Sequence, residues 1–299
     1  MLHVKKRKLN LRVKLVMALL VLCLLWIANL FINDDRQQVT QAEPGLFSEN
    51  AILVDLNSGK VLLDKQSEME IYPASLTKMM TAIVAIENLP DLEQRITIPS
   101  AMFDKIRAEN ASVAGFVAQE QVTVRDLLYG NLLPSGADAS ISLAIAVSGS
   151  EKGFVKLMND KANKLGMNDT HFMNATGLQD NKHFSTVKDL SKLLRYALQD
   201  ETFYKVFTAK HYTTSATNVH PDGITFNSSM FEKLPSTTIE GGTILGGKTG
   251  YTDKAGLCLA SLAEKDGKQY IFITTGAPGD HNTEQFHMTD ALSVYNQIF

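Results

Sequence analysis

Hydrophobic positions along this chain recur with different periods, and the periods predict the elements. From Leu15 to Ile32 apolar residues run together with Asn29 as the one polar interruption, and a helix of ~17–25 such residues spans a bilayer. From Asn33 to about Pro44 the pattern is polar and aperiodic, which predicts a tether. The stretch AILVDLNSGKVLLDK then sets two apolar runs around Asn57-Ser58-Gly59 and predicts a β-hairpin. Between about Ser75 and Glu87, Met79, Met80, Ile83, Val84 and Ile86 recur at helical spacing, and Pro90 ends the helix.

Two later helices are announced by their first turns. In TVRDLLYGNLL, Thr123 with Asp126 three places on forms an acidic variant of the capping box; in STVKDLSKLLRYAL, Thr186 and Asp189 repeat it ahead of Leu190, Leu193, Leu194 and Ala197. Beyond Lys210, GGTILGGKTGYT and GLCLASLAEKDGKQYIFITTGA predict strands with a Lys265-Asp266-Gly267 turn, and a last helix runs from about Thr289 to Ile298. Helices dominate the middle and strands the two ends. That distribution predicts a mixed α and β fold, with a sheet from the N- and C-terminal parts flanked by helices and a mainly helical central subdomain over about 90–220. The chain divides into a basic tail over 1–14, a transmembrane signal anchor over 15–32, a linker over 33–46 and a globular domain over 47–299.

Charge orients this arrangement. Six of the 29 basic residues precede Leu15, whereas all 32 acidic residues follow Ile32. The positive-inside tendency keeps the basic tail in the cytoplasm and places the domain on the extracytoplasmic face of the cell membrane. The segment WIANLFINDDRQQ offers no A-x-A-like cleavage site, so the anchor is expected to be retained; cleavage would instead yield a secreted protein. An acidic ectodomain excludes nucleic acid as a partner. Two cysteines, Cys23 in the span and Cys258 in the domain, build neither a zinc cluster nor a bridge. His171, His183 and His211 sit in polar loops without metal-binding spacing, which assigns them surface or loop roles; no metal and no cofactor is expected. The segments DDRQQ and EKDGK read as solvated, and Met79 and Met80 as helix packing.

The candidate chemistry starts at YPASLTKMMTA. Positions i and i+3 of a helix lie within side-chain reach, so the Lys78 amine can approach the Ser75 hydroxyl. Ser185-Thr186-Val187-Lys188 has the same spacing, but only Ser75 opens an apolar helix, directly after Pro73 and Ala74. Free N–H groups and the helix dipole at such a first turn stabilise a developing anion. A turn at Pro134-Ser135-Gly136 can present a second hydroxyl, and Lys248-Thr249-Gly250 lies in a strand-prone run whose glycines at 246, 247 and 250 let another backbone approach.

In order and separation, Ser75-Leu76-Thr77-Lys78, Ser135-Gly136-Ala137 and Lys248-Thr249-Gly250 resemble the three motifs of the penicillin-recognising serine enzymes. The stretches VRDLLYGNLLPSGADA, HFMNATGLQDNKHFSTVKDL and GGKTGYTDKAGLCLA narrow the resemblance to the low-molecular-mass D-alanyl-D-alanine carboxypeptidases. It implies a β-lactamase/transpeptidase-like fold and a peptidoglycan stem peptide ending in D-Ala-D-Ala as substrate, with β-lactam antibiotics as inhibitors. Ser75 would be the nucleophile and Lys78 its base, kept neutral by burial and by the like charge of Lys248. Ser135 would relay a proton to the leaving amine, Lys248 and Thr249 would meet the substrate carboxylate, and the backbone N–H groups of Ser75 and Tyr251 would form the oxyanion hole. One departure stands out: the family's middle motif commonly ends in Asn, and here Ala137 takes that place with Asp138 next. Two alternatives remain open. A serine β-lactamase would need a Glu-x-x-Leu-Asn segment, which is absent between the second and third motifs. A non-catalytic binder of β-lactams or wall fragments would fit the missing Asn. The chain ends at Phe299, soon after the last helix, which agrees with anchoring at the N-terminus rather than through a C-terminal domain.

Overall fold

The computed structural model describes residues 45–298. The expected hairpin is present as β1 (Asn50–Asp55) and β2 (Val61–Lys65). Two short ribbons follow, β3 (Arg95–Thr97) with β4 (Gln121–Thr123) and β5 (His211–Thr213) with β6 (Thr225–Asn227). The remaining strands are β7 (Thr238–Ile239), β8 (Gly242–Thr252), β9 (Gly256–Lys265) and β10 (Lys268–Ala277). The first and last strands of the described residues meet in one antiparallel sheet of order β2-β1-β10-β9-β8-β7, because β1 pairs along its length with β10.

Both faces of that sheet are covered. Ile52, Val54, Cys258, Ala260, Leu262, Ile271 and Ile273 point into the larger core, while Ala51, Leu53, Leu259, Ala263, Tyr270 and Phe272 point into a second core on the opposite face. Runs such as AILV are therefore apolar at every position: alternate residues serve different cores.

Nine helices are described. In chain order they are α1 (Lys78–Asn88), α2 (Phe103–Ala108), α3 (Val124–Leu132), α4 (Ala137–Ser148), α5 (Glu151–Lys164), α6 (Val187–Ala197), α7 (Glu201–Phe207), α8 (Ser229–Lys233) and α9 (Phe286–Gln297). Every residue of α1 from Lys78 to Ala85 is buried, as expected for a helix apolar all round. Its first turn is tighter than the spacing predicts, a 3-10 turn over Ala74–Thr77 in which Leu76 N–H donates to the Pro73 carbonyl. The capping box at Thr123 and Asp126 is complete. At Thr186 it is half formed, because the buried Asp189 carboxylate instead accepts from Asp169 N–H, the Thr170 hydroxyl and the Lys192 amine. The last helix begins three residues early, at Phe286, whose ring lies 4.3 Å from that of Phe47. The solvated reading of EKDGK is corrected at Lys265: it is buried, and its amine donates to the carbonyls of Tyr295 and Asn296 at the end of α9, where a cation is favoured. Among the described residues no helix is long and apolar enough to cross a membrane, and the anchor expected over 15–32 lies outside them.

Candidate active site

The first motif is held from below by a turn distant in sequence. Lys78 Nζ lies 3.0 Å from Ser75 Oγ and donates to the Thr176 carbonyl at 2.6 Å. Asn174 shapes that turn by accepting from Thr176 N–H, the Thr176 hydroxyl and Gly177 N–H, and the Ala175 carbonyl accepts from the Thr81 hydroxyl. Ala74, just before the serine, is left-handed at φ +46°. Gly177 (φ +82°) packs against it so closely that a Cβ there would collide with the Ala74 carbonyl oxygen.

His183 completes the support: it lies in a loop, as expected, but is buried there rather than on the surface. It is 2% exposed, packed edge-on to Phe172. Met173 N–H donates to Nδ1, which leaves the proton on Nε2 to be donated to Thr77 Oγ1 at 2.8 Å. Burial lowers its pKa to about 4, so the ring is neutral.

The second motif sits between α3 and α4. Ser135 is left-handed at φ +65°, and its buried Oγ has no hydrogen-bond partner among the described residues. An unsatisfied buried hydroxyl needs a reason, and one in a cleft is available to a ligand. Asn131, which the sequence did not single out, ties this motif to the first: its amide donates to the Lys78 carbonyl and accepts from the Ser140 hydroxyl. At the departure from the family pattern, Ala137 is buried and Asp138 turns away from the cleft to accept four backbone N–H groups, from Ala114, Gly115, Phe116 and Ala139.

The third motif runs along β8 past Ser75. Gly250 faces Ser75 so closely that a Cβ would stand 3.1 Å from the Ser75 main-chain nitrogen. The Lys248 amine is fully buried and donates to the Thr249 carbonyl at 2.7 Å. Thr249 Oγ1 is 2.6 Å from Ser229 Oγ on α8, a partner without a signature in the sequence. The Tyr251 hydroxyl donates to Asp253, and its ring meets His281 edge-on at 4.9 Å. Ser75, Ser135, Ser229, Thr249 and Tyr251 all line one cleft of about 480 Å³, counting its open mouth.

Electrostatics separates the two amines. Burial lowers the Lys78 pKa to about 7, against the opposing charge of Asp138. Lys248 is held well below the usual lysine range, by burial first and then by the Lys78 charge. The expected coupling between them therefore weighs on Lys248, while desolvation dominates at Lys78. A hydroxyl beside an amine that loses its proton near neutrality is equipped for nucleophilic acyl transfer.

Such a site, opening an apolar helix against an antiparallel sheet, has the groups that serine acyl transfer needs and sits on the penicillin-binding protein fold. The family model described as D-alanyl-D-alanine carboxypeptidase, peptidase S11, matches residues 37–279, and the chain belongs to that family. It is 34% identical over 258 residues to D-alanyl-D-alanine carboxypeptidase DacF of Bacillus subtilis, covering 83% of this chain and 63% of that one. It is 32% identical to the D-alanyl-D-alanine carboxypeptidase of Streptomyces sp. strain K15, covering 77% of this chain and 80% of the relative. The crystal structure of the Streptomyces K15 DD-transpeptidase superposes with a TM-score of 0.75 at 29% identity, over 86% of this chain and 99% of the other. The chain thus spans less than two thirds of the Bacillus relative and nearly all of the Streptomyces structure.

Proposed function

We propose that this protein is a serine-type D-Ala-D-Ala carboxypeptidase that removes the terminal D-alanine from peptidoglycan stem peptides and is acylated by β-lactams. The observation that carries the reading is the 3.0 Å contact between Ser75 Oγ and the buried Lys78 amine, in a cleft that also holds the unpartnered Ser135 hydroxyl. Neutral Lys78 takes the proton as Ser75 Oγ bonds to the carbonyl carbon between the two D-alanines. The resulting oxyanion is stabilised by main-chain N–H groups at Ser75 and Tyr251. Ser135 relays the proton held by Lys78 to the departing amine, the C–N bond breaks, and free D-alanine leaves an ester on Ser75 beside a neutral Lys78. Water then attacks the ester, giving a proton to Lys78, which returns it to Ser75 Oγ as the ester bond breaks and so restores the hydroxyl. An amine can take the place of water, in keeping with the Streptomyces relative that bears both a carboxypeptidase and a transpeptidase name.

The reading extends to a protein anchored by residues 15–32 with its domain outside the cell membrane, supported by the apolar run and the basic tail. Mass spectrometry after incubation with penicillin tests the chemistry: the parent gains one covalent adduct and Ser75→Ala gains none. An adduct that persists in Ser75→Ala removes the nucleophile assigned here. Free D-alanine counted after incubation with a pentapeptide separates hydrolysis from mere binding.

A further inference from the structure

Lys248, the cation that the resemblance offers to the substrate's carboxylate, is fully buried with its amine turned to the Thr249 carbonyl, and it is not among the residues lining the cleft. A different lysine faces that cleft. Helix α8 carries Ser229 at its first position and Lys233 four residues on, so both project from one face. Ser229 touches Thr249, and Lys233 lines the same cleft beside Thr249, Tyr251 and His281.

The Lys233 amine donates to His281, to Nδ1 at 3.3 Å and to the main-chain oxygen at 3.4 Å, and forms no salt bridge among the described residues. No acidic side chain lines the cleft among the described residues. The nearest compensating charges, Glu232 and Asp280, do not offset the partial burial of the amine, and Lys233 is held below the usual lysine range by that burial. A partly buried cation with neutral partners alone, turned into a groove, is completed by an anionic ligand.

We infer that Lys233, steadied by His281, is the specificity-determining cation that recognises the substrate's C-terminal carboxylate together with the Thr249 hydroxyl. The inference rests on the carboxypeptidase reading and names the residue by which that site prefers a free C-terminus over a blocked one.

The test uses the full-length protein, its Lys233→Gln and Lys233→Arg variants, and a pair of peptides ending in D-Ala-D-Ala, one with a free carboxylate and one amidated. Lys233→Gln is expected to lower kcat/KM for the free acid by about 10- to 100-fold, the range of one charge-assisted hydrogen bond, and to leave the amide unchanged. Lys233→Arg is expected to restore most of the loss. Equal losses on both peptides, or none on the acid, overturn the inference. Acylation rates with benzylpenicillin and its methyl ester give a second, independent pair. Should the parent release no D-alanine yet acylate, the carboxypeptidase reading falls, and the penicillin pair still decides Lys233 by the same criterion.

Discussion

The surroundings of Lys78 set a pH dependence with a definite midpoint. With its pKa lowered from 10.5 to about 7, the amine is half neutral at pH 7. An ordinary lysine at that pH is neutral in only about 3 of 10,000 molecules, so burial enlarges the population of competent base by about 1,500-fold, or about 4 kcal/mol. In the proposed mechanism the neutral form is the one that accepts the serine proton. Acylation should therefore rise about tenfold per pH unit below the midpoint and level off above it. The assay is the second-order rate of labelling by a fluorescent penicillin between pH 5 and pH 9. A flat profile, or a midpoint near that of a free lysine, would refute the assignment of Lys78 as base. Lys78→Arg, whose guanidinium keeps its proton, should lose about 10²–10⁴ in rate at every pH. Stability carries the same sign: between about pH 7 and 10.5 the unfolded chain binds a proton that the native lysine excludes, so thermal stability should increase with pH across that window.

Two further outcomes follow from the site's supports. Ser135→Ala removes an oxygen with no partner among the described residues, so the melting temperature should stay within a few degrees of the parent while acylation falls by about 10²–10⁴; a variant that keeps its rate excludes Ser135 from proton transfer. Gly177→Ala places a methyl group on the Ala74 carbonyl at a positive φ, which costs about 1–2 kcal/mol in backbone strain before any clash is relieved. Loss of both melting temperature and acylation is expected, and unchanged values for the two would show that the turn does not position the first motif.

Much of this was readable from residues with local signatures. The Ser75 and Lys78 spacing, the Thr123 cap and the β1–β2 hairpin depend on neighbours a few positions away, and each is found where the pattern put it. Helix α4 has no such signature: ADASISLAIAVS carries apolar and small residues on every side, because it packs on all sides in the helical core. The Thr176 carbonyl that holds Lys78 is main chain, which any residue supplies. His183 lies among polar residues in the sequence, yet tertiary contact with Phe172 and Thr77 buries it. Lys233 reads as an ordinary helix-end cation, and only the folded position of α8 turns it into the cleft.

Ala74, directly before Ser75, and Ser135, in the lining of the groove, are two of the six left-handed non-glycine residues among those described. Each resists its own conformation, and the surrounding packing enforces both before a ligand arrives. A mould set in advance spares the host any rearrangement and leaves the whole entropic penalty with the guest. Fused-ring guests, already frozen, enter it at less loss than a supple open peptide.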